Sequence, residues 1–163
     1  MNRTKLLWIA GSVVSAFGLT SGALAADASG CYGGYFTHME KLQVAPNHAV
    51  ISVSSYGTGY VTKDPSSPIK GAAGPCVTFI EIIDGKPTGE SRCIRTDSQG
   101  DKFLIIGKPD GFNSTGMKGT WKVKGLTGKW IGASGGGEWW DAGSGKDSQH
   151  SFECFSGSYE VKK

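Results

Sequence analysis

The stretch Gly116 to Trp140, GMKGTWKVKGLTGKWIGASGGGEWW, most constrains what this chain can fold into. Met117, Trp121 and Val123 alternate with Lys118, Thr120, Lys122 and Lys124. A period of two places one set of side chains on an apolar face and the lysines on a wet one, which is a strand and not a helix. Gly125 to Gly128 reads as a turn, Lys129 to Ile131 as a short strand and Gly132 to Gly137 as a cramped connection. Glu138 to Trp140 starts another strand. Four of the five tryptophans lie in this stretch.

The N-terminus has a different character. Arg3 and Lys5 precede an apolar run, Leu6 to Leu19, and Ala23-Leu24-Ala25 supplies an A-x-A cleavage site. Residues 1–25 therefore read as a secretory signal peptide, with Ala26 the first mature residue. The run falls short of the ~20 apolar residues that span a bilayer, so no membrane span is expected after cleavage. The expected location is the periplasm or the secreted fraction. Removing residues 1–25 from 163 leaves 138, enough for a single domain, 26–163, with its own core. Without Arg3 and Lys5, 15 basic residues face 14 acidic ones. No cluster of like charge remains to suggest a nucleic-acid surface.

All four cysteines lie in the mature part, and an exported compartment favours disulfides. Their spacing matches no zinc pattern. Asp84-Gly85 is a favoured two-residue hairpin turn. With Ile83 opposite Lys86, Cys76 falls opposite Cys93 at a non-hydrogen-bonded site, where Cα atoms approach to ~4.5 Å. Pro87 also lands where its missing N–H costs no ladder bond. A wider turn at Pro87-Thr88-Gly89 is the alternative. The remaining pair, Cys31 with Cys154, ties the first strand to one of the last.

Elsewhere the mature chain is also built of short strands. His48 to Tyr56 has Ala49, Ile51 and Val53 on its core face. Cys76 to Ile83 is apolar on both faces, and Phe103 to Ile106 is a short buried run. Tyr35 to Val44 reads equally as a short helix or an irregular strand. Lys63 to Pro75 is a long irregular connection, either an exposed crossover or a lid beside a ligand. Asp141 to Gln149 reads as a polar hairpin loop. Removing Gly11, Gly18 and Gly22 leaves 23 of the 26 glycines in 138 residues, well above the usual ~7%. They fall between apolar alternations, as turns and bulges require. About eight strands and no helix-length amphipathic stripe predict an all-β, antiparallel eight-stranded β-barrel, with a two-sheet sandwich as the alternative.

The segment Gly125-Leu126-Thr127-Gly128-Lys129-Trp130-Ile131-Gly132-Ala133-Ser134-Gly135 resembles the G-x-T-G-K-aromatic-x-G-A-x-G signature of allene oxide cyclase-like and dirigent-like proteins, in their small secreted bacterial branch. The resemblance covers the C-terminal half and implies an eight-stranded barrel with an apolar cavity. No catalytic set of that family aligns with this chain. The ending Ser156-Gly157-Ser158-Tyr159 is similar to that of small periplasmic lysozyme-inhibitor barrels. Those have two residues between glycine and tyrosine, where this chain has one.

No hydrolase, zinc-protease, phosphate-loop or dinucleotide motif occurs. No cofactor and no metal is expected, and no catalytic residue is assigned. The ligand-binding candidates are Trp121, Trp130, Trp139, Trp140, Glu81 and His150. Aromatic side chains can wall a cavity for an apolar or aromatic molecule. Trp139 and Trp140 are adjacent and must point to opposite faces of a strand. Glu81, in VTFIEII, is either a polar anchor in a lumen or a carboxylate that faces solvent through a bulge or pairs with Arg92 or Arg95. These features suggest a non-catalytic, exported barrel that binds a small apolar or aromatic ligand. Two alternatives stand beside it: a cyclase- or isomerase-like enzyme needing a convergent polar pair in the cavity, and a secreted interaction or inhibitor module with a filled interior.

Overall fold

The computed structural model describes residues 25–144 and 149–161. Nearly all of the expected signal peptide and residues 145–148 of the expected 141–149 loop lie outside the described residues, and residues 141–144 belong to a strand and not to that loop. The strands are β1 (Ala26–Asp27), β2 (Gly30–Ala45), β3 (His48–Thr62), β4 (Gly74–Ile83), β5 (Lys86–Thr96), β6 (Lys102–Phe112), β7 (Met117–Gly125), β8 (Ser134–Ser144) and β9 (His150–Glu160). From β2 to β9 each strand pairs antiparallel with the next, and β9 pairs back onto β2. The eight strands thus close into an up-and-down barrel, which leaves no sandwich edge exposed. The short β1 adds to β9 through Ala26–Tyr159 and Asp27–Ser158.

The β4–β5 hairpin takes the register read from its turn. Asp84 and Gly85 both have positive φ, 51° and 73°, and Cys76 pairs with Cys93. Both disulfides are formed, Cys76–Cys93 and Cys31–Cys154, with Cα separations of 4.0 and 3.9 Å. The second joins β2 to β9 at the seam that closes the ring.

β2 settles as a strand. Its pairing with β3 is shifted between Cys31 and Gly33, between Phe36 and His38, and between Gln43 and Ala45. Each bulge resets the inside–outside alternation, which blurs the period in the sequence. Lys129 to Ile131 is not a strand. Gly128–Trp130 forms a single 3₁₀ turn, and Trp130 is fully buried beneath the barrel with its indole N–H on Asp97 Oδ2 at 2.8 Å. Gly135 to Gly137 is not a connection either, because β8 begins at Ser134. In register, Trp121 lies opposite Gly137, which lies opposite Gly157. The missing side chains let the Trp121 N–H reach Glu138 O and Ser156 O, each at 3.1 Å.

One end of the barrel is closed. Phe103, Val123, Trp130, Ala133 and Tyr159 pack there with Ile69 and Ala72 from the 63–73 connection. The Ser67 and Tyr159 hydroxyls meet at 3.2 Å. The long connection is therefore not a lid at a mouth but a partly exposed crossover from β3 to β4, with Ser67, Ile69 and Ala72 turned inward. Its Ile69 and Ala72 supply the apolar floor that strand ends alone leave open.

Candidate functional site

Above this floor the interior is hollow. A cavity of about 400 Å³ is walled by Phe36, Ile51, Ile80, Ile105, Trp121, Trp139 and Phe155. Phe103, Trp130 and Tyr159 form its base, and the exposed Met39 and Thr115 stand at the opposite, open end. The alternation of each strand places these side chains inside. The inner face of β4 is Cys76, Thr78 and Ile80, so the Cys76–Cys93 disulfide is part of the wall. This volume falls within the range of pockets for small organic molecules.

The polar groups of the interior are few and connected. The Tyr32 hydroxyl on β2 donates to Glu153 Oε2 on β9. Asp141 on β8 is the direct register partner of Glu153. Its Oδ2 accepts the Met117 N–H at 2.7 Å. Tyr32 stacks on Tyr60, with ring centroids 4.6 Å apart. The Tyr60 hydroxyl accepts from Arg95 Nε at 2.9 Å. The other Arg95 nitrogens donate to Gly74 O and, at 2.9 Å, to Cys76 Sγ. Arg95 is 0% exposed, and its guanidinium lies 5.4 and 5.5 Å from the Tyr32 and Tyr60 ring centroids. Thr78 Oγ1 donates to Ser91 Oγ at 2.8 Å on the opposite wall.

These surroundings shift the titrations. Burial raises the Glu153 carboxyl to about 7; Asp141 adds to the rise, while the Tyr32 hydrogen bond and the Arg95 charge oppose it. Burial likewise raises Asp141 against the pull of the Met117 N–H. Tyr32 is pushed well above its ordinary value by burial and then by Glu153. Burial opposes the charge on Arg95, but the neighbouring tyrosines outweigh it and the guanidinium stays protonated. A carboxyl that titrates near neutrality beside a phenol can exchange a proton with a bound molecule.

The structure divides the sequence candidates between two surfaces. Trp121, Trp130 and Trp139 line the cavity, and Trp139 anchors its indole N–H on Thr120 O at 3.1 Å. Trp140 points outward, opposite Cys154 of the seam disulfide. Glu81 also faces outward, on the odd-numbered face of β4, and pairs with His48 at 2.7 Å. His150 sits on the outer face of β9, in a shallow groove with Tyr35 and Phe152. Neither Glu81 nor His150 joins the three tryptophans.

Tyr32, Tyr60, Arg95, Asp141 and Glu153 are interior groups that do not stand out in the sequence. Glu153 did leave a signal. Ser151, Glu153, Phe155, Gly157 and Tyr159 share one face of β9, so a carboxylate lies in phase with two aromatic residues. No comparable signal marks Arg95, whose burial depends on Gly57, two strands away on β3. A Cβ on Gly57 would stand 2.5 Å from the guanidinium.

Fold and cavity together define the molecule as an up-and-down β-barrel with a ligand-sized chamber, closed at one end. Comparison with known proteins finds no family model, curated protein or solved structure that matches the chain. Among the described residues no helix is long and apolar enough to cross a membrane.

Proposed function

We propose that this protein is an exported barrel that binds a small apolar or aromatic molecule inside its chamber. The observation that carries the reading is the hollow itself: about 400 Å³, walled by aromatic and aliphatic side chains, with a few polar groups near the open end. Folded proteins pack their interiors densely, so a space of this size has a large penalty unless something occupies it. The interaction-module reading calls for a filled interior and gains nothing from this chamber. Two disulfides support an oxidising compartment, in line with the signal-peptide reading. The likeness to allene oxide cyclase-like and dirigent-like barrels enters only as a shared architecture with an apolar cavity.

Binding of a neutral apolar fluorophore, such as N-phenylnaphthylamine, tests the proposal. The expected result is saturable enhancement with one site per chain, lost in Thr78→Trp and Ser91→Trp variants that fold normally. Enhancement that survives in those filled barrels places the probe elsewhere and overturns the reading.

One observation favours a second, enzymatic reading. Glu153 and Tyr32 form the convergent polar pair that a cyclase- or isomerase-like reaction needs. That reading requires turnover of a bound compound that stops in Glu153→Gln while binding persists.

A further inference from the structure

We propose that the preferred ligand carries a basic nitrogen on an apolar body, and that the nitrogen sits between Asp141 and Glu153. This deepens the small-molecule reading and rests on it. Among the described residues the chamber wall contains no lysine, arginine or histidine, and its charged side chains are Asp141 and Glu153. The two are direct register partners on β8 and β9, both on the inner face. Like charges in that relation repel, and a cation between them removes the conflict.

Each carboxylate has one oxygen committed to the protein. Glu153 Oε2 accepts from Tyr32, and Asp141 Oδ2 from the Met117 N–H. Among the described residues the second oxygens have no protein donor. No buried side-chain oxygen or nitrogen lacks a partner there, so those second oxygens are reachable from the chamber. Two open acceptors on register-paired residues match the two or three N–H donors of a protonated amine.

The protein's own cation does not fill this place. All three Arg95 nitrogens are engaged with Tyr60, Gly74 and Cys76, and Arg95 forms no ion pair among the described residues. The adjoining wall suits an ammonium as well. Trp139 lies two residues from Asp141 on the same face, and Phe155 two from Glu153. Ring faces add attraction for a desolvated cation. A metal ion is the poorer occupant, because no group of three metal-ligating side chains forms among the described residues.

The groups facing Glu153 are Asp141 from β8, Tyr32 from β2 and Arg95 from β5. A bound amine adds a further positive charge to this set, so its affinity rises as Glu153 ionises.

The test compares three probes with one ring system: naphthylmethylamine, naphthylmethanol and naphthoate. They are titrated against the disulfide-bonded protein at about pH 8, where Glu153 is ionised. The expected order is amine, alcohol, acid, with the amine at least about tenfold tighter than the alcohol. In Asp141→Asn/Glu153→Gln the affinities of the amine and the alcohol converge to within about twofold. Glu153→Gln alone retains an acceptor for Tyr32 and serves if the double variant is unstable; about half of the amine's advantage in free energy should then be lost. An amine no tighter than the alcohol, or an advantage that survives both substitutions, overturns the inference and leaves the chamber reading standing. Failure of all three probes to bind removes both.

Discussion

Tyr32 and Glu153 are joined across the β2–β9 seam by a hydrogen bond inside the barrel, one register step from the Cys31–Cys154 disulfide. The hydroxyl stabilises the charged form of a carboxyl that burial opposes. Tyr32→Phe removes that donor and leaves the ring. The Glu153 carboxyl should then titrate above its value of about 7. Carbon-detected NMR of labelled glutamate checks this, and an unchanged or lower titration point contradicts it.

The same carboxyl makes stability depend on pH. The folded value of about 7 lies above the ordinary 4.5, so the folded chain holds the proton more tightly than the unfolded one. Stability from this group is present at low pH and is lost as pH rises from about 4.5 to about 7. The full loss is on the order of 3 kcal/mol. Asp141, also raised, acts in the same direction. Glu153→Gln should flatten the fall and be more stable than wild type at about pH 8, as measured by urea midpoints.

Arg95 and Gly57 form a second linked pair. A methyl at position 57 collides with a guanidinium held in place by three hydrogen bonds. Gly57→Ala is expected to destabilise by about 1–3 kcal/mol through overpacking. In an Arg95→Met background, itself destabilised, the added cost of Gly57→Ala should nearly vanish. Urea unfolding of the single and double variants measures the coupling, and strict additivity would refute the contact.

The two disulfides should differ in worth. Cys31–Cys154 closes 123 residues and Cys76–Cys93 closes 17. Chain entropy assigns nearly 5 kcal/mol to the first and about 3 to the second. Paired Cys→Ala replacement at the seam should therefore lower the urea midpoint more than replacement in the hairpin.

Much of the fold was legible because strand alternation and turn chemistry are local. Met117, Trp121 and Val123 announce β7, and Asp84-Gly85 sets a register that delivers Cys76 to Cys93. Local patterns fail where a residue's position depends on distant chain. Three bulges in β2 scramble its alternation with β3, and Trp130 leaves the strand pattern because Asp97 and the barrel floor offer its indole a better place. The interior charges were hidden for the same reason. Arg95 is buried by Gly57, Gly74 and Tyr60, none close to it in sequence, and Glu153 meets Tyr32 across 121 positions. Glu81 draws attention by its apolar neighbours, yet alternation puts it outside, on His48.

A crystal structure of the protein grown with N-phenylnaphthylamine tests the chamber most directly. The account expects one probe molecule inside the barrel, its rings against Trp139 and Phe155 and above the floor formed by Phe103 and Trp130. A barrel interior collapsed onto itself, with the probe only on the outer surface, would contradict it.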